Sequence, residues 1–275
     1  MSDSRPIGIF DSGLGGISVV KAVMDILPHE HVVYFGDTAR LPYGSKSPET
    51  VQRFSAQISA FLLEKNVKMI VVACNTASAV ALKHLQSRFD IPIIGVIEPG
   101  AAAALHRPET LRVGVIGTTS TIGSGAYTRA LKAINKNLNI QTQSCPLLVP
   151  LIEEGWQDIQ IINAILRTYL HDFIANPPQS LILGCTHYPY LKNEIQNLLG
   201  SDVLLVDSGN ATADVVKTIL TRQEMLNHES GDLGMHQFYV SDFPQKFAEI
   251  SERFLGKPLE NLFRVELEVL ESYLA

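Results

Sequence analysis

Ile70-Val71-Val72-Ala73-Cys74-Asn75-Thr76 and Leu181-Ile182-Leu183-Gly184-Cys185-Thr186-His187 follow one pattern: an apolar run, a cysteine, then polar side chains. A short apolar run without polar alternation reads as a strand buried on both faces, the condition of a parallel sheet covered by helices. Open parallel sheets bind ligands beyond the carboxyl ends of their strands. Both thiols fall at that end.

Working outward, Val/Ile-rich segments recur at 7–10, 32–35, 69–73, 93–96, 112–116, 140–143, 181–183 and 204–206, with helical patterns between them. One such pattern, Pro48–Glu64, repeats apolar residues at Val51, Phe54, Ile58, Phe61 and Leu62 behind a Ser47-Pro48 start. The strands divide into two sets of four on either side of a stretch from Pro99 to Pro108, where Ala101 to Leu105 reads as a short helix and Arg107-Pro108 as a break. Each set opens on a similar phrase, Ile7-Gly8-Ile9-Phe10-Asp11-Ser12-Gly13 and Val113-Gly114-Val115-Ile116-Gly117-Thr118-Thr119. The expectation is two similar, open, mainly parallel-sheet α/β domains with the active site in the cleft between them. One comprises residues 1–98 with about 212–275, the other residues 99–211. From about residue 212 the pattern reads as helical, with Asp242 as N-cap and Phe243, Phe247, Ile250 and Phe254 at helical spacing.

Composition narrows the function. A hydrophobic share of 46% with 18% charged residues is that of an ordered globular chain of 275 residues. A formal charge of -6 with no basic run argues against a nucleic-acid partner and for a small diffusing one. No apolar run is long enough for a membrane span, and the polar start, Met1 to Pro6, does not resemble a secretory signal. Three cysteines, widely separated and without CxxC, make no disulfide framework, so a reducing cytoplasmic setting and free thiols are expected.

Taken alone, Cys74 or Cys185 reads as a small buried hydrophobe. Their sequels change this, because Asn75-Thr76 and Thr186-His187 place amide, hydroxyl and imidazole groups where a dry core has no use for them. A helix opening after Cys74 would favour its thiolate, and His187 beside Cys185 would lower that thiol's pKa or exchange protons with it, unless it is a cap or surface histidine. Asp11 and Ser12 end the first strand before Gly13, Gly15 and Gly16, which let backbone N–H groups approach an anion closely. A dinucleotide fingerprint starting at Gly13 fails at Ser18, and no P-loop occurs. Leu41-Pro42-Tyr43-Gly44 reads as a ligand-facing or an ordinary surface turn, and Glu153-Glu154-Gly155 equally as a helix end. Cys145, beside Pro146 and without polar companions, reads as buried and inert. Two thiols facing each other across a pocket can remove a proton from one face of a carbon and return one to the other. That inverts the centre without a cofactor.

The motifs together resemble the glutamate racemase family of the aspartate/glutamate racemase superfamily. The resemblance is carried by Ile9-Phe10-Asp11-Ser12-Gly13-Leu14-Gly15-Gly16, Pro42-Tyr43-Gly44, Ala73-Cys74-Asn75-Thr76-Ala77-Ser78, Ile97-Glu98-Pro99-Gly100, residues 149–155 and Gly184-Cys185-Thr186-His187-Tyr188-Pro189, in order between about residues 7 and 210. It implies that Cys74 and Cys185 are catalytic thiols, with Asp11 and His187 as proton-handling neighbours and Glu153 a lesser candidate. It further implies that Asp11, Ser12, Pro42, Tyr43, Gly44, Asn75, Thr76, Thr186 and His187 hold L- or D-glutamate, with Thr118 and Thr121 as further contributors. D-glutamate supply for peptidoglycan, a homodimer, no cofactor and no metal follow from the same resemblance. Aspartate racemases of the superfamily tend to carry histidine where this chain has Ser78 and glutamate where it has His187.

Rival enzymes fit poorly. A phosphatase loop of the C-x5-R kind meets Val80 and Leu191 instead of arginine, no glycine stands two residues after either cysteine, and the cysteines lack the paired spacings of structural zinc. An amino acid binding or sensor protein would want the same Asn, Thr and Gly contacts but has no need of two opposed thiols.

Overall fold

The computed structural model describes residues 2–228 and 234–273. All eight expected strands form: β1 (Ile7–Asp11), β2 (Val32–Gly36), β3 (Met69–Val72), β4 (Ile93–Gly95), β5 (Arg112–Gly117), β6 (Asn139–Ser144), β7 (Ser180–Gly184) and β8 (Leu204–Asp207). Two more follow, β9 (His236–Val240) and β10 (Leu262–Arg264). They build two all-parallel sheets, one in the order β10-β9-β2-β1-β3-β4 and one in the order β6-β5-β7-β8. The run β2-β1-β3-β4 and the run β6-β5-β7-β8 have the same topology. β3 and β7, the strands that lead into Cys74 and Cys185, therefore occupy equivalent places. In each sheet the chain leaves the first strand to one side and returns on the other, which opens a crevice beyond the strand ends at the switch point.

Alternation along each strand divides the core. Ile7, Ile9, Met69 and Val71 face the helices Ile17–Ile26 and Ser208–Arg222, while Phe10, Ile70 and Val72 face the helix Pro48–Glu64. That last helix starts as its sequence predicts, with Pro48 in the first turn and Ser47 Oγ accepting from Thr50 N at 3.3 Å. In the second sheet Val113, Val115 and Ile182 pack against the helix Ile97–Ala104, and Ile116, Leu181 and Leu183 against the opposite layer.

The region beyond residue 212 departs from the expectation of helix alone. β9 pairs with β2 from Val32↔His236 to Gly36↔Val240, and β10 extends the edge. Phe238 and Val240 then join the core of the first sheet, together with Phe247 and Ile250 of the helix Pro244–Leu255. Asp242 is not the N-cap of that helix: Phe243 takes the place in left-handed backbone, and Asp242 Oδ1 accepts from Phe243 N at 2.9 Å.

At the amino ends of the first sheet a buried ion pair ties four segments together. Lys68 Nζ lies 2.6 Å from Glu30 Oε2 and donates to the carbonyls of Asp3 and Met225, each at 2.7 Å. Glu30 Oε1 accepts from Asn227 N at 2.8 Å. Removing one partner of such a pair strands a buried charge, which typically costs about 3–5 kcal/mol. Lys68→Met is accordingly expected to destabilise the chain by about that amount, and Lys68→Met with Glu30→Gln to recover part of the loss, as read by denaturant unfolding.

Candidate active site

The carboxyl ends of the two sheets meet at a cavity of about 520 Å³. Ser12, Pro42, Tyr43, Gly44, Cys74, Asn75 and Thr76 line it from the first sheet, and Thr118, Glu153, Cys185, Thr186 and His187 from the second. Leu41, Ser45, Thr119, Pro146, Val149 and Pro150 complete the wall. Of the expected site residues, Asp11 and Thr121 stand behind it. Asp11 is fully buried at the end of β1, and Thr121 joins Thr76 and Thr118 in a triangle of hydroxyls with oxygen separations of 3.0 to 3.2 Å.

Cys74 caps the helix Asn75–Val80: its Sγ accepts from Ala77 N at 3.4 Å and lies 3.7 Å from Ser12 Oγ. Those two contacts favour the thiolate, as a helix start does. They lose, however. Burial and the nearby Asp11 carboxylate push the Cys74 thiol up to about 12, so the expected thiolate preference is reversed. Asp11 is itself raised by burial, against the opposing pull of His187 and backbone N–H bonds from Gly13 and Gly16. Gly13 N donates to its Oδ2 at 3.0 Å, and its Oδ1 is buried without a hydrogen-bond partner.

The second thiol has a different escort. His187 Nδ1 lies 3.7 Å from Cys185 Sγ, and His187 Nε2 lies 3.0 Å from Glu153 Oε1. Burial alone would lower the imidazole, but hydrogen bonds and negative charge from Cys185 and Glu153 outweigh it and hold His187 up to about 10. His187 is thus neither a surface residue nor a simple cap. Glu153 ends the helix Leu148–Glu153, which aims its carboxylate back at His187.

The halves touch closely. A Cβ on Gly15 would lie 2.1 Å from Thr186 Oγ1 and 2.6 Å from His187 Nδ1, and Ser18 Oγ donates to Thr186 O at 3.3 Å. Tyr127, from the second sheet's helix Ala126–Ile134, donates to Asn75 Oδ1 at 2.7 Å. Asn75 lines the cavity with a buried Nδ2 that has no protein partner, a donor free for an anionic ligand. Tyr127 has no sequence signal, because its role depends on a contact across the two halves. Cys145 is buried, with its thiol near Gln143 O at 3.7 Å, and is not part of the wall. Among the described residues no three His, Cys, Asp or Glu side chains converge as a metal site requires, and no helix is long and apolar enough to cross a membrane.

Residues 17–216 match the Asp/Glu/hydantoin racemase family. The glutamate racemase of Geobacter metallireducens is 50% identical over 264 residues, covering 96% of this chain and 97% of that protein. The crystal structure of glutamate racemase from Francisella tularensis in complex with D-glutamate superposes with a TM-score of 0.90 at 41% identity, covering 98% of this chain and all of that one. That of Thermus thermophilus, in complex with β-chloro-D-alanine, gives 0.86 at 43% identity over 98% of this chain and 100% of that one. The chain belongs to the Asp/Glu/hydantoin racemase family, among its glutamate racemases.

Proposed function

We propose that the chain interconverts L- and D-glutamate by a cofactor-independent exchange of protons between Cys74 and Cys185. The observation that carries this is the placement of two thiols at equivalent strand ends on one cavity, each with its own charged neighbour. One thiolate takes the α-proton, forming an S–H bond as the C–H bond breaks. The other thiol gives its proton to the opposite face of the carbanion, and the roles reverse with the substrate. Cys74, raised by burial and Asp11, rests as the thiol, while Cys185 Sγ lies 3.7 Å from Nδ1 of the His187 imidazolium, a partner for proton exchange.

The α-proton of an amino acid is far less acidic than a thiol, so the carbanion needs preorganised donors in a site closed to water. Asn75 Nδ2, the hydroxyls of Ser12, Thr76, Thr118 and Thr186 and the backbone of Tyr43–Ser45 supply them, with Thr121 bracing Thr76. Asp11 and Glu153 act through the two thiols' surroundings, Asp11 on Cys74 and Glu153 on His187. The halves of the site are carried by two folding units, residues 1–98 with about 212–275 and residues 99–211. The product serves peptidoglycan synthesis in the cytoplasm, and the enzyme works as a homodimer.

Pure protein without added cofactor is expected to bring the optical rotation of L-glutamate toward zero and to incorporate solvent deuterium at Cα; binding without exchange would favour a sensor. Cys74→Ser and Cys185→Ser should each reduce racemisation by on the order of 10³-fold, and full turnover by either variant would sink the two-thiol scheme. Because the imidazolium of His187 is held to about 10, kcat/KM is expected to fall as pH rises through that value. Glu153→Gln removes one group that holds the proton, so the alkaline limb should move down by roughly one unit; an unmoved limb in the pH profile would separate Glu153 from the proton chemistry.

A further inference from the structure

Behind the turn 41–45 lies a second polar cluster, none of whose members lines the cavity except Tyr43. It is built on Asp37, fully buried directly after β2. Arg40 Nε donates to both Asp37 carboxylate oxygens, at 2.9 and 2.8 Å, and Arg40 Nη1 donates to Gln57 Oε1 at 2.6 Å. The guanidinium carbon sits 4.0 Å above the Phe54 ring centroid. Tyr43 Oη donates to Asp37 Oδ2, and Ser241 Oγ donates to Asp37 Oδ1 at 3.0 Å.

Ser241 directly follows β9, so this clamp reaches the turn from a strand some 200 residues further along the chain. The same junction is stitched twice more: Ala39 N donates to Ser241 Oγ at 2.8 Å, and Thr38 Oγ1 both donates to Asp242 O at 2.7 Å and accepts from Asp242 N at 2.9 Å. The front of the turn is equally confined. A Cβ on Gly44 would lie 3.0 Å from Thr118 Cβ of the opposite half, and Leu41 packs so tightly on the glycine loop that a Cβ on Gly13 would lie 2.8 Å from its Cδ2. With its hydroxyl committed to Asp37, Tyr43 offers the cavity other atoms than its phenol oxygen, and the place of those atoms is set from behind.

We propose that Asp37 and Ser241 are positioning residues that fix the turn 41–45 in the cavity wall and thereby set substrate affinity, with no part in proton transfer. This rests on the reading that the turn faces substrate. Asp37→Asn would strip buried Arg40 of its counter-charge and endanger folding. The test is therefore made at Ser241, where only a hydroxyl is lost.

Ser241→Ala is expected to raise KM for both glutamate enantiomers by roughly five- to tenfold with kcat within about twofold, the signature of lost ground-state positioning. It should also speed amide hydrogen exchange in the segment 41–46, followed by mass spectrometry. Ser241→Thr, which keeps the hydroxyl, should restore both. Unchanged KM and exchange in Ser241→Ala, or a lowered melting temperature with KM unchanged, would overturn the proposal. Should the unmodified protein fail to racemise glutamate, the assigned function falls, while the exchange comparison still decides whether Ser241 holds the turn.

Discussion

Everything at the site depends on how closely the Gly15 backbone approaches the side chains of Thr186 and His187 where the sheets meet. Gly15 comes so near Thr186 and His187 that no side chain fits between them, and this contact removes water from the ionisable groups on both sides. In a dry space charges act on one another strongly. Asp11, from the first sheet, is held partly in check by His187, from the second; Cys74 in turn feels Asp11. The proton affinity of Asp11 is thus set partly from the opposite half.

That mutual influence makes the site unsymmetrical although the topology is repeated. Equivalent strands deliver equivalent cysteines, but the first is followed by a helix whose N–H groups reach its sulfur and is shadowed by a buried carboxylate, whereas the second is followed by an imidazole backed by Glu153. The repeated topology supplies position. Distinct neighbours have supplied distinct acid/base character.

Much of this was legible in the chain. The eight apolar runs, the helix behind Ser47-Pro48 and the polar sequels of both cysteines depend on local pattern, and local pattern survives folding when the run is long or flanked by turn residues. β9 and β10 were not legible, because His-Gln-Phe-Tyr-Val and Leu-Phe-Arg are short, mixed and given strand form by register with β2, far away in sequence. The protonation of Cys74 is not legible for a related reason: a helix start is visible in sequence, while the burial that outweighs it is not. The Asp37–Arg40 cluster gives no sequence signal either, since its members acquire meaning only when Ser241 arrives beside them.

That late arrival bears on how the molecule is made. The second sheet draws all four strands from one uninterrupted stretch, 112–207, and can close soon after that stretch leaves the ribosome. The first sheet cannot. Its β2 edge stays unpaired, and Val33 and Phe35 lack part of their cover, until β9 and β10 have been synthesised. During translation the half that is begun first is therefore finished last, and its open edge is the surface on which chaperones or mispairing would act.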